Sequence, residues 1–179
     1  MNEQPAPSLP PNRRPPASEI FTPGILAGLA GAVIMGLLAM IVSAAMSMGF
    51  FTPMKLIAGT FLGSRVLEVA GSAAAGTVIL GIGIHLVLGA FFGVLYAWWL
   101  PRKVSGGTEF WMSLLYGAGL FVVMAWLVMP WADPVMFAHV NKGWLFLYNL
   151  VYGVSLALVL PIRREVRGTP MRREAHTAA

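Results

Sequence analysis

The chain has no cysteine, few charges and, over four long stretches, no charged side chain at all. Without cysteine there is no disulfide, no thiolate metal site and no c-type haem attachment, and the redox compartment stays open. Charged residues make up 11% of 179 positions against 58% hydrophobic ones, far from the balance of a water-soluble fold. The four uncharged stretches, residues 24–48, 77–100, 110–129 and 144–160, have the length of about 17 to 25 residues that a helix needs to cross a bilayer core of roughly 30 Å. With no carboxylate in a span, a carboxylate proton relay or a sodium-coupled carrier lacks its usual equipment. A glycine-rich phosphate loop, a metalloprotease helix and a hydrolase nucleophile elbow are also missing, so no enzymatic activity is expected.

What is present orders the chain into three parts. Residues 1–23 hold Pro5, Pro7, Pro10, Pro11, Pro15 and Pro16 with almost no large apolar side chain, which predicts a disordered tail. Residues 24–161 form the membrane domain and 162–179 a basic tail. The expected fold is all-α, an integral membrane four-helix bundle. A net charge of +5 would invite a nucleic-acid reading in a soluble protein, but the basic residues flank the spans, so the expected partner is the lipid bilayer and not nucleic acid. Arg13, Arg14, Arg102, Lys103, Arg163, Arg164, Arg167, Arg172 and Arg173 fall on one side, and only Lys55, Arg65 and Lys142 on the other. The richer side is expected to be cytoplasmic, which puts both termini there. Trp98, Trp99 and Trp111 then mark the inner interface, with Trp131 and Trp144 at the outer one.

Both outer connections place a capping side chain before proline, at Thr52-Pro53 and Asp133-Pro134, which predicts a short interfacial helix after each. The first, over residues 53–69, reads equally as interfacial or re-entrant. An internal repeat is suggested by His85-Leu86-Val87-Leu88-Gly89 against Asn149-Leu150-Val151-Tyr152-Gly153, each followed by proline and basic residues. It would make the chain two parallel helical hairpins, related by an axis along the membrane normal.

Small residues every fourth position, Gly24, Gly28, Ala32 and Gly36 on the first span and Gly81, His85, Gly89, Gly93 and Ala97 on the second, predict close helix packing; Gly153 belongs to the same class. His85 is the one titratable residue well inside a span. Intramembrane polar groups face the bundle interior and find partners, so His85, Asn149, Tyr152 and Ser155 form the candidate polar site, with a His85–Asn149 hydrogen bond as its plainest content. His85 and His139 could act as two axial imidazoles for haem, but no spacing supports it. Met46, Met48, Met54, Met129, Met136 and His139 all fall near the outer face, where thioethers and imidazole suit Cu(I); methionine is more often an apolar filler. Neither a resident cofactor nor a metal site is therefore expected, with His139, Met46 and Met48 the weak metal candidates.

The segments Phe51-Thr52-Pro53-Met54-Lys55-Leu56-Ile57-Ala58, His85 to Gly93 and Asn149 to Gly153 resemble those of uncharacterised four-span proteins of bacterial inner membranes. From His85 through Arg164 the layout is also similar to YagU-like inner-membrane proteins, a family linked to acid resistance. The resemblance implies a multi-pass protein of the bacterial inner (cytoplasmic) membrane and carries no site residue with it. Three functions stay open. The first is a non-catalytic scaffold or accessory subunit, as a homo-oligomer or with other membrane subunits. The second is a small channel or carrier for a neutral or weakly charged solute, organised around His85 and Asn149. The third is a haem, quinone or copper protein.

Overall fold

In a hydrocarbon solvent the backbone of a long apolar stretch can satisfy its polar groups only by closing them on itself, as a helix. The computed structural model describes residues 17–68, 71–101 and 104–166 (Ser72 by its backbone alone), with no strand among the described residues. Six helices follow in order: α1 (Ser18–Ala45), α2 (Thr52–Leu62), α3 (Gly71–Trp99), α4 (Gly106–Ala132), α5 (Pro134–His139) and α6 (Lys142–Val166). Four of them, α1, α3, α4 and α6, are long and apolar enough to cross a membrane. The chain is an all-α, multi-pass membrane bundle. Residues 1–16, the pair Arg102 and Lys103, and the basic tail from residue 167 lie outside the described residues.

The helices outrun the apolar stretches that announced them. α1 starts at Ser18, so residues 18–23 are helical and not part of a disordered tail, and Pro23 stands inside the helix. α4 starts at Gly106 and runs through Pro130 to Ala132, and α6 runs past Pro161 to Val166. The reason is that a helix ends where its backbone hydrogen bonds end, whereas the apolar stretches were bounded at Pro23, Glu109, Pro130 and Pro161. Each proline is accommodated locally. The turn Val123–Val128 widens to a π-helix just before Pro130, making room for a ring that would otherwise meet the carbonyl one turn back. In α6 the regular helix pauses at Ala157 and Leu158 ahead of Pro161.

α1 packs along α3 and on α6, α4 packs along α6, and α2 lies on α3. Bare glycine backbone sets the close approaches. A side chain added at Gly28 would strike the backbone of Gly89, and one at Gly93 would strike Gly24 and Gly28. Gly117 and Gly153 oppose each other in the same way between α4 and α6. Gly89 and Gly153, the positions matched in the suggested repeat, each meet a glycine on the preceding span, Gly28 and Gly117. Gly81 behaves differently: it seats the backbone of Met54, and so holds α2 against α3. With Met54 and Ala58 fully enclosed, α2 is a packed element of the fold.

Of the two capped connections, one forms as expected. Asp133 Oδ1 accepts from Met136 N at 2.9 Å and caps α5. Thr52 lies inside α2, with Phe51 in the cap position, and its hydroxyl donates back to Met48 O. Asn141, which carried no expectation, caps α6 by accepting from Gly143 N and Trp144 N at 2.9 and 3.2 Å.

Candidate functional site

The start of α1, the end of α3, the start of α4 and the end of α6 lie at one end of the bundle, called here the terminal end; α2 and α5 cover the far end. Between the four spans, in the far half, the helices enclose a chamber of about 480 Å³. α1 lines it with small residues (Ala32, Gly36, Ala39), α3 with Ile84, His85 and Leu88, and α6 with Tyr148, Asn149 and Tyr152. The π-helical turn of α4 contributes Met124 and Val128, while α2 and α5 close the far side with Met54, Thr60, Met136 and His139. Small residues on α1 and the widened turn on α4 explain why the interior is not filled here.

Three of the four residues singled out in sequence, His85, Asn149 and Tyr152, stand on this one wall; Ser155 does not, packing instead beside Gly31 and donating to Val151 O at 3.0 Å. The anticipated His85–Asn149 hydrogen bond is replaced by two backbone bonds. His85 Nε2 donates to Ala32 O of α1 at 2.9 Å, and Asn149 Nδ2 donates to Leu145 O one turn back at 2.8 Å. Spans pack at glycine, so the nearest acceptor for His85 is the exposed carbonyl of its neighbour helix. His139 also lines the chamber, with Nδ1 donating to Val135 O at 2.7 Å, and Met46 and Met48 lie at its far rim, each about half exposed.

Sequence reasoning missed Asp133. It lines the chamber, is 6% exposed, and takes a second hydrogen bond from the Thr60 hydroxyl at 2.8 Å, tying α2 to α5. Burial holds its carboxyl above the usual range, opposed by the Met136 amide and the Thr60 hydroxyl. The signal available was its place before Pro134, which marked a cap but not the cavity behind it.

Two further charges are buried at the terminal end, correcting the expectation that no carboxylate lies within a span. Glu109 is 2% exposed on α4, and its Oε1 accepts from Leu160 N at 2.7 Å. That amide is released because α6 pauses before Pro161, so Glu109 caps the restarted helix from another span. Arg163 is 3% exposed; its Nε donates at 3.1 Å to Glu19 O, the carbonyl that Pro23, lacking an N–H, leaves open. Its guanidinium also donates to Ala97 O and Leu100 O, the last carbonyls of α3 before Pro101. Three tyrosines complete the join between spans: Tyr96 to Glu109 O, Tyr116 to Phe92 O and Tyr152 to Gly89 O, at 3.2, 2.9 and 2.6 Å. These charges do structural work, each at a break made by proline.

No family model, curated protein or solved structure matches this chain.

Proposed function

We propose that the chain is a small carrier or channel for a neutral or weakly charged solute, non-catalytic and set in a bacterial inner membrane with both termini cytoplasmic. The chamber then lies in the outer half of the bilayer. The observation that carries this reading is the chamber itself, bounded by all four spans, with His85, Asn149, Tyr152 and Asp133 among the polar residues on mainly apolar walls. A space of about 480 Å³ is far more than the packing of a protein interior leaves empty. A guest, lipid or water therefore fills it. Walls that are mainly apolar with a few convergent polar groups are those of small-molecule sites.

Thermal melting in detergent tests this, with a panel of small solutes and metal ions applied to the wild type and to Ala39→Phe, which fills the chamber without touching a polar group. A guest present at a hundred times its Kd adds about 2.7 kcal/mol to the wild type and nothing to the variant. If no panel member stabilises the wild type, or the variant responds equally, the reading fails.

One observation favours the scaffold alternative. Gly76 and Gly83 leave bare backbone on α3 with nothing within 4 Å, where a further copy or another subunit would close in. The intact mass of the assembly taken from native membrane in mild detergent decides it: polypeptide mass beyond one chain supports the scaffold, and a lone monomer removes it.

A further inference from the structure

Seven of the nine methionines among the described residues line the one chamber: Met35, Met46, Met48, Met54, Met124, Met129 and Met136. A thioether is an uncharged, soft donor; it holds Cu(I) and holds Zn(II), Mg(II) or Ca(II) poorly. Among the described residues no group of three or more histidine, aspartate or glutamate side chains gathers as a harder metal would need. The donor set therefore selects by softness.

The imidazoles fit the same chemistry. A backbone carbonyl can only accept, so the bond to Ala32 O requires the proton of neutral His85 on Nε2 and leaves the lone pair on Nδ1. Anchoring the second nitrogen on a backbone carbonyl is how metal-ligating histidines are commonly oriented. His139 has the converse arrangement, with Nδ1 on Val135 O and the lone pair left on Nε2. Thioether and imidazole are also neighbours on the wall: the Met54 methyl and the Nε2–Cδ2 edge of His85 both flank Gly36, where a side chain would meet them.

Charge decides the valence. The solvation lost on burial grows as the square of the charge, so an apolar chamber tolerates one positive charge far better than two. Asp133 lines the chamber, and a bound cation would favour the charged form of its carboxyl, which burial alone disfavours. Packing alone would account for Met54 and Met129, which are fully buried, but it does not require seven methionines around one cavity with two imidazoles of defined tautomer.

We infer that the chamber's guest is Cu(I), ligated by His85 Nδ1 and by methionine thioethers of the wall, Met54 first among them. The inference rests on the carrier reading and narrows it to a soft monovalent cation. The test is an anaerobic titration of the full-length protein in detergent with Cu(I), using bicinchoninate as competing chelator. The wild type should withdraw one equivalent, with sulfur and nitrogen neighbours in the copper X-ray absorption spectrum. Ag(I) should displace it and Zn(II) should not. Met54→Leu, which conserves volume, and His85→Gln should each weaken binding at least tenfold, with the metal-free melting midpoint of Met54→Leu unchanged. Failure to withdraw Cu(I), or equal binding by the His85→Gln/Met54→Leu double variant, overturns the inference. If Cu(I) fails while an organic solute still separates wild type from Ala39→Phe, only the metal assignment falls. If both fail, the carrier reading falls with it.

Discussion

At the scale of single residues, Arg163 and Glu109 serve backbone that proline has opened, while His85, Tyr116 and Tyr152 add a bond to carbonyls inside a neighbouring helix. Arg163 serves the carbonyls of Glu19, Ala97 and Leu100, so Arg163→Ala strips three acceptors at once. A loss of about 3 kcal/mol or more is expected, read as a drop in melting midpoint in detergent. Tyr152→Phe removes one bond to Gly89 O and should cost about 1 kcal/mol. Asp133 gives a pH-dependent expectation. Burial raises its folded-state pKa, so the folded protein holds that proton more tightly than the unfolded chain does. The resulting stabilisation is fully present below the ordinary carboxylate pKa and is lost as pH rises through the raised one. The melting midpoint of the wild type relative to Asp133→Asn should therefore fall as pH climbs through that window. A constant difference between the two proteins would show that Asp133 does not titrate there.

At the scale of elements, proline and glycine set the geometry that apolar patterning leaves undetermined. Prolines 23, 130 and 161 each open the helical ladder, and the answers differ: an arginine from another span, a π-helical turn and a glutamate from another span. Glycines 28 and 153 are contact points between backbones. Gly28→Leu or Gly153→Leu should abolish the folded bundle, seen as loss of a monodisperse species in detergent. Gly83→Ala, with open space around it, should be tolerated and, from helix propensity alone, should add up to about 1 kcal/mol. Similar sensitivity at Gly83 and Gly28 would contradict the packing described.

At the scale of the whole molecule, two hairpins with glycine contacts in corresponding places surround a chamber toward one end, while the other end is closed by Glu109, Arg163 and Tyr96. The two ends thus differ in construction, one hollow and the other tied together by charged side chains bonded to backbone. If orientation follows the basic residues, as proposed, reporters fused after Ala179 and near Ser105 should both signal cytoplasm. An external signal from either would reverse the sidedness and place the chamber in the inner half.

Four spans, their order and the candidates His85, Asn149 and Tyr152 were legible from sequence, because hydropathy and the rarity of polar groups in lipid act along the chain, one residue at a time. The helix ends were less legible. Ser18 and Gly106 lie outside the apolar stretches, and helical hydrogen bonding continues into residues that hydropathy rejects. Only the tertiary structure decided that Glu109, Arg163 and Asp133 are buried, that His85 bonds to Ala32 O instead of to Asn149, and that methionines far apart in sequence face one chamber. These depend on which backbone groups and side chains of a neighbouring helix lie within reach at a given depth. That is fixed by how closely glycines let the spans approach, a relation between segments that no single segment contains.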